Sequence, residues 1–111
     1  VKYKKTLSPL LKFRDNRDWQ QFHDSKNLAL AISIEASELN ELFLWKEKPE
    51  SEDVNIDKLK EELADILSFA FLLANKHHLD PFDIILDKIK KNNVKYPIEK
   101  AKGKADKYTT L

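Results

Sequence analysis

The chain is 111 residues long, with 41% hydrophobic and 35% charged residues and a net charge of +1 from 20 basic and 19 acidic side chains. That length points to a single domain over residues 1–111, and that balance to a folded globular chain rather than a disordered one. The near-neutral sum removes any global electrostatic case for a nucleic-acid polymer or a membrane surface, and the lack of cysteine removes disulfides, thiolate metal sites and a cysteine nucleophile.

With one Gly and four Pro, few glycine-requiring turns are available, so an all-α fold is expected. Ser8-Pro9 has the form of an N-cap followed by proline at the first helical position, which predicts a helix from there to about Arg17. A longer helix is predicted over Asn27 to Trp45, uninterrupted by Pro or Gly and apolar at helical spacing. Lys46 to Asn55 is polar, contains Pro49 and reads as an exposed loop. A third helix should start near Asn55 to Asp57, with Asp57 a possible cap, and run to Lys76. Asp80-Pro81 opens a fourth, ending near Asn92 or Asn93, and the remainder reads as an irregular tail. No apolar run approaches the roughly 18 residues of a membrane span, and the basic opening VKYKK leads into no signal-peptide core. A cytoplasmic protein is therefore expected. Because the sequence opens on Val1, a few leading residues are expected to precede it.

Acids lie where a core helix should be apolar. At about 100° per residue, the stripe of the second helix gathers Leu28, Ala31, Ile32, Leu39, Leu42 and Phe43, and Glu35 falls inside it. Glu38 sits at the edge of that arc, while Glu41 points the other way with Ile34 and Leu30. The third helix repeats the arrangement in KEELADILSF, where Glu62 shares the bearing of Phe69 and Leu73, Asp65 follows three residues on, and Glu61 faces away. Four carboxylates near a core repel one another and are costly to desolvate, so they should protonate or acquire a cation. All-oxygen ligation favours Mg²⁺, with Mn²⁺ as a substitute.

Glu35-x-x-Glu38, 23 intervening residues and Glu62-x-x-Asp65 resemble the four-acid signature of the MazG-like all-alpha nucleoside triphosphate pyrophosphohydrolases. RDWQQFHDSKNLALAISIEASELNELFLW, then EELADIL, KIKKNNVKYP and KYTTL, are similar to the dCTP pyrophosphatase branch, so the likeness covers most of Arg17 to Leu111. The resemblance implies a four-helix fold assembled as a dimer or tetramer. It also implies Mg²⁺-dependent attack of water on the alpha-phosphorus of a (deoxy)nucleoside triphosphate, giving the monophosphate and pyrophosphate. The substrate would be dCTP or a related or modified dNTP, and the role house-cleaning of the nucleotide pool. Glu35, Glu38, Glu62 and Asp65 would be the catalytic metal ligands, with Glu38 a candidate general base. Trp19, His23 and Trp45 would contact the nucleotide, and Lys88, Asn92 and Tyr96 the phosphates, sugar or base, with Lys107 and Tyr108 as weaker tail candidates. The chain departs from that branch at two places. Leu10 stands where the branch has a histidine and Phe69 where it has a tyrosine, so strict dCTP specificity does not follow from the likeness.

Leu30, Ile34 and Leu44 on the second helix, and Phe71 and Leu72 on the third, lie away from the main apolar faces, which predicts a symmetric homodimer or a dimer of dimers. Three rivals stand beside this reading. A phosphoribosyl-ATP-type pyrophosphohydrolase shares the superfamily, but the pair Trp19 and Trp45 favours a free nucleotide. A di-iron bundle wants Glu-x-x-His, and none of His23, His77 or His78 follows a glutamate by three. A non-enzymatic interaction module leaves four inward acids unexplained.

Overall fold

The computed structural model describes residues 2–107 and 109, so Tyr108 lies outside the described residues. The regular elements are α1 (Lys2–Asn16), α2 (Ser25–Glu41), α3 (Ile56–Lys76), α4 (Pro81–Lys95) and α5 (Ile98–Ala101), with 3-10 turns at Gln20–Phe22 and Glu50–Glu52. Among the described residues there is no strand, as the glycine-poor composition predicts. The chain divides into two compact units, Val1–His78 and Leu79–Leu111.

In the first unit, α1 differs from expectation at its start. Ser8-Pro9 is not an N-terminus; the helix begins at Lys2 and carries Pro9 inside it. Proline there removes one bond, to the carbonyl of Lys5, and both residues are exposed, so water can satisfy the freed oxygen. The second helix begins two residues early because the Asp24 side chain accepts from the Asn27 amide at 2.7 Å. It also ends at Glu41 rather than Trp45: Leu42 and Phe43 turn back onto Leu39 and Asn40, and Trp45 takes a left-handed φ of 64°. On α3 the cap is Asn55, accepting from the Lys58 amide at 3.1 Å, while Asp57 sits in the first turn and complements the helix dipole.

α3 packs against both α2 and α1. Ser25 Oγ and His77 Nε2 share a hydrogen bond of 2.8 Å, joining the start of α2 to the end of α3, so these two helices run antiparallel. Leu28, 2% exposed, and Leu72, 4% exposed, are buried together with Ala74. The predicted stripe of α2 is covered, with Ala31, Ile32, Leu39, Leu42 and Phe43 at least half-buried, and Leu30, Ile34 and Leu44 are exposed as expected. On α3 the expectation fails at Leu72, which is core. The helix has a second covered face because α1 lies on it as well as α2.

In the second unit, Asp80 caps α4 as its sequence predicts, accepting from the amides of Phe82 at 2.8 Å and Asp83 at 3.3 Å, with Pro81 in the first turn. The helix continues to Lys95, past Asn93, and the supposedly irregular tail holds the short α5, started by Pro97 at a φ of −56°.

Candidate active site

The antiparallel pairing of α2 and α3 means that residue numbers fall along one helix as they rise along the other. The same register that joins Ser25 to His77 brings Glu35 opposite Asp65 and Glu38 opposite Glu62. Carboxylate oxygens of Glu35, Glu62 and Asp65 all lie within 4.8 Å of one another. Glu38, exposed at the rim, reaches both Glu35 and Glu62 through side-chain hydrogen bonding and charge. The four acids chosen from helical phase therefore meet, while Glu41 is exposed at the end of α2 and takes no part.

The electrostatic cost is visible at the two half-buried members. Glu35 is raised from 4.5 to about 7, first by loss of solvent, then by Glu38, Asp65 and Glu62. Glu62 is also raised, by loss of solvent and by the charge of Glu38. Glu35 Oε2 and Glu62 Oε2 are buried and have no hydrogen-bond partner. Orphaned buried carboxylate oxygens on an all-oxygen donor set are what a hard cation satisfies. Two oxygens on one Mg²⁺ can lie about 4.2 Å apart at most, so small side-chain shifts would gather these three on an ion.

Beside the acids, the first unit contains a cavity of about 430 Å³. Its floor comes from α3, where Asp65, Ser68, Phe69 and Leu72 recur at i, i+3, i+4 and i+7. Leu10, Phe13 and Arg14 of α1 and Trp19 and His23 of the α1–α2 connection form the walls. The Phe13 and Trp19 rings meet edge-on at 5.7 Å, as do His23 and Phe69 at 6.2 Å. Asp65 is common to the cavity and the acid cluster, so the two adjoin. His23 Nδ1 is buried without a partner, and its pKa is lowered by loss of solvent and by Arg14. Residue-by-residue reading had not singled out Phe13, Arg14 or Ser68. The signal was present in their spacing from Leu10 and Asp65, but it shows only once α1 is known to pack on α3.

The four acids have a counterpart among known proteins: they fall within residues 30–111, which match the model of the MazG-like family. This chain belongs to the MazG-like family. Among curated MazG-like relatives, dCTP pyrophosphatase 1 of Bos taurus is 40% identical over 104 residues, spanning 89% of this chain and 62% of the relative. The Homo sapiens and Rattus norvegicus proteins of the same name are each 38% identical over 104 residues. The chain thus spans about three fifths of the length of these relatives, at 61% for the rat and human proteins. The crystal structure of a pyrophosphatase from Archaeoglobus fulgidus DSM 4304 matches with a TM-score of 0.82 and 35% identity, covering 87% of this chain and 94% of that one.

The other expected contacts are distributed more widely. Trp45 is 97% exposed and lines neither this cavity nor a second of about 290 Å³ that shares Arg14, His23 and Leu72 with it. Lys88, Asn92 and Tyr96 belong to the second unit, described by itself. There the Tyr96 amide donates to the Asn92 carbonyl at 2.8 Å, and Lys88 is lowered, first by the neighbouring charge of Lys95 and then by loss of solvent. No described helix is long and apolar enough to cross a membrane.

Proposed function

We propose that this chain is a Mg²⁺-dependent nucleoside triphosphate pyrophosphohydrolase, converting dCTP or a related or modified dNTP to the monophosphate and pyrophosphate. The observation that carries it is the meeting of Glu35, Glu62 and Asp65 on two facing helices, two of them with orphaned buried oxygens. The names of the curated relatives and of the Archaeoglobus neighbour support the same reading. Glu35, Glu38, Glu62 and Asp65 hold the cation, with Mn²⁺ able to replace Mg²⁺. When bound, the ion supplies charge neutralisation for the phosphates and Lewis acidity toward the attacking water. Glu38, exposed at the rim of the cluster, takes the water's proton. Trp19 and His23 line the cavity that adjoins the acids and hold the base there.

Residues 1–111 act as one domain, a reading supported by a family match that runs across both units. On that reading Lys88 and Asn92 of α4, and Tyr96 just past its end, are nucleotide-binding residues. The chain works as a homodimer or homotetramer, and Trp45 serves a neighbouring copy's site, supported by its nearly complete exposure and by the open faces of Leu30, Ile34 and Leu67. It acts in the cytoplasm on nucleotide pools. Incubation with a panel of canonical and modified dNTPs and Mg²⁺ tests the activity: pyrophosphate release is expected, and orthophosphate release or no turnover of any member refutes it.

A further inference from the structure

The polar groups lining the cavity of about 430 Å³ differ in what they can recognise. Asp65 belongs to the acid cluster. Ser68 carries a hydroxyl, which both donates and accepts and so discriminates little. The His23 ring donates or accepts according to its tautomer. Arg14 is different in kind, because guanidinium only donates, in a planar fork. Its side chain is 14% exposed, and its Nε donates to Asp15 Oδ1 at 2.8 Å, which fixes the plane and leaves both Nη groups. The neighbouring Arg17 is otherwise engaged, over the Phe13 ring at 3.7 Å and bonded to the Phe13 carbonyl at 3.0 Å. Arg14 also lines a smaller cavity of about 290 Å³, as do His23 and Leu72, so its guanidinium borders both spaces on the same side of the unit as Trp19 and Phe69. A ligand ring that covers this donor pair has to offer it acceptors, because one that offers none would strip its water and leave it unpaired.

We propose that Arg14 selects the base, its guanidinium pairing with two neighbouring acceptors on one edge, which cytosine (O2 and N3) and guanine (O6 and N7) offer. Thymine and uracil interpose an N–H between their carbonyls, and adenine sets an amino group beside N1 and N7, so none of the three presents such a pair. The proposal rests on the nucleotide reading above and names the substrate class within it. The pattern of acceptors, rather than ring size, is what the residue reads, since about 430 Å³ admits a purine or a pyrimidine. A good bidentate pair is worth roughly 10- to 100-fold in discrimination.

The test is kcat/KM for dCTP, dGTP, dTTP, dUTP and dATP, alongside 3-deaza-dCTP and 7-deaza-dGTP, each lacking one of the two acceptors. The better of dCTP and dGTP is expected to exceed dTTP, dUTP and dATP by about 10- to 100-fold, and its deaza analogue to lose most of that advantage. Arg14→Ala should bring the ratios near one. Arg14→Lys, with a point charge and no fork, should restore little of them, and both variants should keep the Mg²⁺-induced rise in melting temperature. Deaza analogues turned over like their parents, or a preference for dTTP, overturn the proposal, and these assays use the wild-type chain should Arg14→Ala fail to fold. If no triphosphate is hydrolysed, quenching of Trp19 fluorescence by dCMP and dGMP over dTMP, abolished in Arg14→Lys, would uphold base selection while the hydrolytic reading fell. Equal quenching by all of them, or none, overturns base selection too.

Discussion

Replacing Glu35 by Gln should make the metal-free protein more stable at pH 8 and less responsive to Mg²⁺. Glu35 holds its proton to about pH 7 in the fold, against 4.5 in the open chain. Between those values the folded state binds the extra proton, so stability falls as pH rises from 4.5 through 7 and is flat beyond. At 1.36 kcal/mol per pH unit, the interval from 4.5 to about 7 caps the cost of ionising Glu35 at about 3.4 kcal/mol. The carboxyl is only half-buried and solvent screens it, which brings the expected gain from Glu35→Gln to about 1–2 kcal/mol. In thermal melts with EDTA at pH 8 this is a rise of roughly 5–10 °C, absent at pH 4.5, where the wild-type carboxyl is protonated folded and half-protonated unfolded. Adding Mg²⁺ at about 100 times its dissociation constant should then stabilise the wild type by about 2.7 kcal/mol and the variant by less. A variant that melts below the wild type in EDTA at pH 8, or an equal response of both to Mg²⁺, would refute the reasoning that these acids are strained without a cation.

Glu38→Gln and Glu41→Gln separate the two sides of α2: the first should lower kcat by roughly 100-fold or more through the lost ligand and base, the second by less than about twofold. Comparable losses would refute the face assignment. Asp24→Ala removes the cap on Asn27 and should cost about 1 kcal/mol in denaturant titration, since the cap holds the end of α2 nearest His77. Light scattering at micromolar concentration should show a multiple of 13.0 kDa, and Ile34→Asp should shift the population toward the monomer. A wild-type chain found only at 13.0 kDa would end the oligomer reading.

Helical periodicity carried much of this site because its acids lie on two long helices, where a bearing of 100° per residue converts sequence into direction. Glu35 and Glu62 could be separated from Glu41 and Glu61 on that ground alone, and the fold keeps the separation. The register between α2 and α3 was not available, since it depends on which helix end meets which, and Ser25 with His77 gave no advance sign of pairing. Pro9 misled because its signal is local, whereas its cost depends on whether the carbonyl of Lys5 faces water. Leu72 and Arg14 were missed for a shared reason: both belong to the contact of α1 with α3, and a non-local contact leaves no mark in the pattern of either helix.

Trp45 has an optical consequence. The chain holds two tryptophans, Trp19 in the wall of the cavity and Trp45 almost wholly in solvent. Trp19 is 44% exposed and Trp45 97%, so intrinsic emission is a sum of a partly shielded and a fully water-relaxed component. Trp45→Phe leaves a single emitter against the base-sized cavity, and Trp19→Phe a single emitter on the surface that a second copy would cover. On the proposed function, the two tryptophans would report separately, Trp19 on ligand and Trp45 on assembly, each isolated by a single substitution.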